Sequence, residues 1–222
     1  MGGESFRRGA LTNVFYIANW YHDRLYALGF DEAAGNFQLT NFSTSGTAGD
    51  RILIDAADYG VGGGATFGTP PDGISGRMQL GLWPGGGLWR DTDLDAEVVL
   101  HELTHGLSHR LLNSAGLNWT SGQAMGEGWS DFYALSLLNE NGSDDPDGHY
   151  AFGAYSNYKY SPSFVDNYVY GVRHFPYTTD NGVNPLTWAD ADASTVDLSG
   201  GIAPSPNLSG VPPGEIHFVG EI

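Results

Sequence analysis

His101-Glu102-Leu103-Thr104-His105 is the stretch on which the reading of this chain turns. At ~100° per residue, helix positions four apart lie ~40° apart around the axis and one turn along it. Both imidazoles then reach one metal ion at the ~2.0–2.1 Å of a zinc–nitrogen bond. Glu102 sits beside them, close enough to take a proton from water at the ion. The flanking Val98-Val99-Leu100 predicts that this turn is buried, which argues against a polar surface helix.

The same stretch predicts a helix from about Asp93 to Leu112, with Ala96, Val99, Leu100, Leu103, Leu107 and Leu111 as its apolar stripe. Asp91, Asp93 and Asp95 gather near its start, where the helix dipole favours them. A second helix is expected over roughly Gln123 to Leu138, apolar on nearly every face and therefore a core element. Gly126-Glu127-Gly128-Trp129-Ser130-Asp131 lies on it, with Glu127 placed 22 residues after His105. A connection of that length brings the second helix back antiparallel to the first and aims Glu127 at the ion. Two neutral imidazoles and one carboxylate leave a fourth position open, the arrangement of a catalytic zinc rather than a closed structural one. Asp131, one turn beyond Glu127, is placed to accept the second ring proton of a ligand histidine. His109 lies eight residues past His101, ~12 Å along the helix, too far to share the ion.

Composition sets the frame. The chain has 222 residues, 41% apolar and 13% aromatic, enough for a folded core. No apolar run approaches the ~20 residues of a membrane span, and Met1 to Arg8 is polar, without the features of a signal peptide. A net charge of −17 disfavours nucleic acid and anionic membrane surfaces as partners. Cysteine is absent, so a metal must be held by His, Asp or Glu, which suits a catalytic zinc or a calcium. Lys159 is the only lysine, and so acidic a surface fits a salty or extracellular setting.

Elsewhere the pattern predicts a helix over 10–29 and strands at Arg51 to Asp55 and Arg77 to Trp83. Gly62-Gly63-Gly64-Ala65-Thr66 is a candidate edge strand for pairing with a peptide. His22 and Asp23 read as a structural hydrogen bond. Asp144-Asp145-Pro146-Asp147-Gly148 reads as a solvated acidic loop, with a calcium site as the other reading. Residues 149–188 are tyrosine-rich and irregular, the proline-rich 203–214 is a connector, and Glu215 to Ile222 begins a further ordered element.

His-Glu-x-x-His-Gly-Leu-Ser from His101, followed by Gly-Glu-Gly-Trp-Ser-Asp from Gly126, resembles the fungalysin family of secreted zinc endopeptidases, relatives of thermolysin. Tyr21 to Tyr26 with Gly29-Phe30, Thr69 to Gly73, Gly76 to Gln79 and Asn184 to Thr187 also match the family pattern. The resemblance implies one catalytic zinc ion held by His101, His105 and Glu127, with Glu102 as general base and Asp131 as partner of His101. It implies that His217, in Glu215 to Glu221, steadies the transition state, and that Arg173 holds a substrate carbonyl. Three departures stand out: His109 replaces the usual asparagine, no tyrosine lies between His105 and Glu127, and family catalytic units continue past Ile222.

The expected fold is α+β: a thermolysin-like zincin with a twisted, mostly antiparallel sheet and two packed metal-bearing helices. Residues 1–202 are expected to form the N-terminal catalytic subdomain. Residues 203–222 are expected to be a connector and the start of a truncated C-terminal helical subdomain. The expected function is zinc-dependent endopeptidase, secreted, acting on polypeptides and made with a propeptide. A non-catalytic zinc-binding fragment is the alternative. A glycosidase using Glu102 and Glu127 as its carboxylate pair is a third class, but it leaves the two histidines without a purpose.

Overall fold

Helix α1 (Glu4–Ala27) buries Ala10, Val14, Ile17, Tyr21 and Leu25, a stripe at three- and four-residue spacing. It begins before the expected position 10, its first turns running through solvent with the Arg8–Glu4 ion pair on their surface. The computed structural model describes residues 4–85, 88–112, 117, 120–158 and 167–222. Lys159 and Pro162, in the tyrosine-rich stretch, therefore lie outside the described residues.

The fold is mixed α+β. Strands β1 (Leu53–Asp58), β2 (Ala65–Gly68), β3 (Arg77–Gly85) and β4 (Leu88–Asp91) form a sheet in the order β1-β3-β2, with β4 also paired to β3. Two of the three pairings are antiparallel, β2 with β3 and β3 with β4; β1 and β3 run parallel, starting at Leu53 opposite Arg77. That parallel pairing departs from a sheet of antiparallel hairpins, because the chain between β1 and β3 crosses back before β3 begins. β1 is bulged between Asp55 and Asp58, and Ala57 there takes φ 49°, donating its N–H to Asp93 Oδ2 at 2.9 Å.

Helix α2 (Ala96–Leu111) starts later than the expected Asp93, after a short 3-10 turn at Thr92–Leu94. Asp95 caps it, accepting from the Val98 N–H. Val99, Leu100, Leu103 and Leu107 pack into one core with α1, with Met78 and Leu80 of β3, and with Phe152. Tyr21 and Thr104 join α1 to α2 by a buried 2.7 Å hydrogen bond between hydroxyls.

Helix α3 (Thr120–Leu138) corrects the expectation of a helix buried all round. Phe132 is 63% exposed and Met125 49%, while Ala124, Ser130, Asp131 and Ala134 are buried. The helix turns its small and polar face inward, because glycine, alanine and serine there let α2 and α5 (Ile216–Gly220) come close. The segment between α3 and α5 contains the short α4 (Asn167–Tyr170) and two isolated bridges, Tyr150 with Tyr177 and Phe152 with Gly171. Gly171 has φ 59°, and a Cβ there would lie 1.8 Å from the Phe152 carbonyl oxygen, so only glycine fits.

Candidate metal centre

His101 and His105 project from successive turns of α2, and Glu127 faces them from α3. The two Nε2 atoms are 3.0 Å apart, and Glu127 Oε2 lies 3.0 Å from His101 Nε2 and 3.5 Å from His105 Nε2. Four ligands around an ion with ~2.0–2.1 Å bonds stand about 3.3–3.4 Å apart, so these separations fit the edges of a zinc tetrahedron. The second ring nitrogens are spoken for: His101 Nδ1 donates to Asp131 Oδ1 at 2.6 Å, and His105 Nδ1 faces Ser130 Oγ at 3.4 Å. A neutral His101 ring thus presents Nε2 as an acceptor beside a carboxylate oxygen, and His105 does the same in the tautomer whose Nδ1 donates to Ser130. Such a cluster of acceptors is relieved either by a cation or by a proton held between His101 and Glu127. Glu127 Oε2 and Glu102 Oε2 are both buried without a hydrogen-bond partner, which leaves both oxygens open to an ion or a water in that space. His101, Glu102 and His105 form the cluster of potential metal-ligating groups among the described residues.

Electrostatics follow burial. Burial opposes charge on the His101 ring, yet the bonds to Asp131 and Glu127 raise its pKa to about 9, so protons compete with a cation for it. Burial raises the Glu102 carboxyl, favouring a base of higher proton affinity than an exposed glutamate. Burial also works against the Glu127 charge, but His101 and His105 hold its pKa far below the ordinary value.

Asp131 is the hub beneath the centre. Besides His101, it accepts from Arg173 Nε at 2.6 Å, Arg173 Nη2 at 2.8 Å and Tyr177 Oη at 2.5 Å. Burial alone would raise its pKa; Arg173 and His101 together hold it well below the carboxylate range. The structure thus engages two nitrogens of the buried Arg173 with a carboxylate, whereas sequence resemblance suggested a substrate carbonyl as its partner.

His217 stands on α5 with Nε2 3.3 Å from Glu127 Oε2, and its Nδ1 donates to Glu215 Oε1 at 2.6 Å. Two contacts seat α5. Gly128 of α3 meets Gly220 at the backbone, and Glu221 Oε1 accepts from the His174 N–H and ring Nδ1, each at 2.9 Å. His109 is half-buried one turn beyond His105, with ring centroids 6.3 Å apart.

The cleft divides at this line. One side is a pocket of about 460 Å³ with Trp83, Val98, Phe152, Val172, Leu208 and Val211 among its walls. The other, about 340 Å³, is lined by Thr66, Phe67, His109, Gln123 and Ile216. Away from the cleft, His22 Nδ1 and Asp23 Oδ1 are 3.0 Å apart on the surface. The acidic loop is exposed, with Asp145 Oδ1 accepting from the Asp147 N–H.

Sequence reasoning gave no role to Tyr177 or Glu215. Glu215 was findable as an acid at a helix start, two residues before a histidine. Tyr177 carries no such local signal, since it meets Asp131 across 46 positions of chain.

Known proteins similar to this chain are named as metalloproteinases. The chain is 42% identical over 194 residues to extracellular metalloproteinase 2 of Trichophyton rubrum, covering 86% of this chain and 29% of that protein. It is 41% identical over 194 residues to extracellular metalloproteinase 10 of Coccidioides posadasii (strain C735), covering 85% and 29%. With extracellular metalloproteinase 4 of Arthroderma otae it shares 38% over 192 residues, covering 85% and 28%. The chain thus spans less than a third of the length of the curated relatives it matches. The fungalysin metallopeptidase (M36) family profile matches residues 3–202, and the chain belongs to that family.

Proposed function

We propose that this chain carries the catalytic centre of a zinc-dependent endopeptidase, with His101, His105 and Glu127 as metal ligands and Glu102 as general base. The observation that carries the reading is the convergence of two imidazole nitrogens and one carboxylate oxygen at tetrahedral-edge separations, beside a buried carboxylate with a free oxygen. Two nitrogens and one oxygen are a donor set suited to catalytic zinc. A bound zinc ion supplies Lewis acidity, polarising the scissile carbonyl and making water acidic near neutral pH.

The protein's own groups do the rest. Glu102 accepts the proton of the attacking water and delivers it to the leaving amine nitrogen. Its burial keeps that proton affinity high. His217, oriented by Glu215, donates Nε2–H to the oxygen on which negative charge develops. Asp131 fixes the His101 ring, and Arg173 and Tyr177 fix Asp131. The apolar pocket beside Val98 and Phe152 takes an apolar substrate side chain, and the free edge of β2 offers backbone groups to an extended peptide.

The reading divides the chain into a catalytic subdomain over 1–202 and a connector with the start of a helical subdomain over 203–222. It also makes the protein a secreted one acting on polypeptides. The relatives' names as extracellular metalloproteinases support this. The alternative reading is a zinc-holding chain without turnover.

Zinc analysis and casein digestion decide between them. Wild type should hold one zinc ion and digest casein, with digestion stopped by phenanthroline. Glu127→Ala should lose the ion, while Glu102→Gln should keep it and lose cleavage. Cleavage by Glu102→Gln at the wild-type rate removes Glu102 from the base role, and zinc binding without digestion by wild type selects the second reading.

A further inference from the structure

The two metal-bearing helices carry matched stripes. His101, His105 and His109 follow at intervals of four on α2, and Gln123, Glu127 and Asp131 follow at intervals of four on α3. The helices are antiparallel, so the stripes meet as rungs. His101 meets Asp131 at 2.6 Å, and Glu127 lies between the two histidines, 3.0 Å from His101 and 3.5 Å from His105. Continuing that register sets His109 opposite Gln123, and both line the same half of the cleft. The first rung orients a ligand and the second holds the ion. The third has no role in the mechanism.

Its polar groups are free. Among the described residues, no hydrogen bond or ion pair engages the His109 ring or the Gln123 amide, although the ring is half-buried and packs edge-on against His105. A neutral imidazole offers one donor and one acceptor, and a primary amide offers two donors and one acceptor. Gln123 is exposed at the cleft rim, so both groups meet water when the cleft is empty, and an apolar side chain seated over them would displace that water without replacing its hydrogen bonds. The charge of this lining selects further. With a dication present, Glu102 and Glu127 balance it and the liganding histidines are neutral, so neither an anionic nor a cationic side chain gains there.

We propose that His109 and Gln123 form a specificity subsite for an uncharged amide side chain, asparagine or glutamine, on the opposite side of the scissile bond from the residue held in the apolar pocket. The subsite rests on the peptidase reading above, which supplies the peptide. An amide pairs with both groups at once, giving and accepting. A methionine or leucine of similar size pairs with neither and leaves them unsatisfied, the condition under which hydrogen-bonding sites discriminate strongly.

The test uses the zinc-loaded chain, a peptide library randomised around one scissile bond, and product sequencing by mass spectrometry. Wild type should enrich Asn and Gln about tenfold over Met and Leu at a single position, a factor worth ~1.4 kcal/mol. His109→Leu and Gln123→Leu should each abolish that enrichment and leave the apolar preference across the bond unchanged. Enrichment that persists in both variants, or a wild type that prefers apolar residues on both sides, overturns the subsite. Calorimetric binding of matched Gln and Met peptides to the zinc-loaded Glu102→Gln variant, with and without His109→Leu, keeps the two readings apart. Selective binding without any cleavage by wild type supports the subsite and sinks the peptidase reading. Cleavage with equal binding of the two peptides does the reverse.

Discussion

Gly128 of α3 and Gly220 of α5 touch backbone to backbone: a Cβ on Gly128 would stand 2.5 Å from the Gly220 carbonyl oxygen. The helix carrying Glu127 and the one carrying His217 are held in register by this absence of side chains. Gly128→Ala should push α5 outward and separate His217 from the reacting oxygen. Overpacking of ~1–3 kcal/mol outweighs the ~1 kcal/mol that alanine gains in a helix. The variant should therefore lose stability, hold zinc, and show a kcat reduced at least tenfold. Gly9→Ala, on α1 with no atom within 4 Å of the new Cβ, should instead stabilise by about 0.5–1 kcal/mol. Equal effects of the two in urea denaturation would show that the contact has no energetic weight.

Asp131 serves His101 and Arg173 together, and the two duties can be pulled apart. Asp131→Asn should lower zinc affinity about 10- to 100-fold by releasing the His101 ring. It should also destabilise the protein, since Arg173 is left as a buried charge without its counterion. Adding Arg173→Met should recover stability and leave zinc affinity low. Unchanged zinc affinity in Asp131→Asn, measured by chelator competition, would remove the orienting role.

Arg110, at the end of α2, is the structural counterpart. Its Nη1 donates to Asp50 Oδ2 at 2.7 Å and to the Gly35 carbonyl at 3.0 Å, and its guanidinium lies 4.0 Å from the Phe37 ring centroid. Both members of this ion pair are buried. Arg110→Met leaves Asp50 charged and unpaired inside, and should cost ~3–5 kcal/mol. A loss below ~1 kcal/mol in denaturant unfolding would mean that Asp50 reaches solvent once its partner is gone.

Stability should fall as pH rises from acid towards about 8. Burial and the neighbouring Asp91 push the Asp93 carboxyl up to about 8. A carboxyl whose folded pKa exceeds its unfolded value contributes fully below the unfolded value, ~3.9. That contribution is lost as pH rises through the folded one. Wild type should therefore weaken between about pH 4 and 8, and Asp93→Asn should flatten the slope and be the more stable protein at pH 9. Parallel stability–pH curves for the two would show that Asp93 is ionised throughout.

The convergence of the candidate metal-binding side chains was legible because their spacing is written locally. Imidazoles one helical turn apart, a carboxylate on the next helix, and Asp131 a turn beyond it need only helix geometry to be placed. Long-range relations were not. The parallel pairing of β1 with β3 and the meeting of Arg173 and Tyr177 on Asp131 depend on how distant segments cross. No spacing rule encodes that. For α3, hydrophobic content indicated an apolar helix but not which face turns inward. The small residues around Glu127 decide that, because they permit the closest approach.

The three residues proposed to hold the ion belong to two neighbouring helices, whereas His217, the proposed oxyanion donor, belongs to α5, beyond a connector whose Ser209, Gly210, Pro212 and Pro213 lie open to solvent. Scission in that connector would release His217 from its seat while the helices that grip the ion stay whole. On the proposed reading, a nicked molecule would keep its metal and lose its turnover, so cleavage at this strap would silence the centre without emptying it.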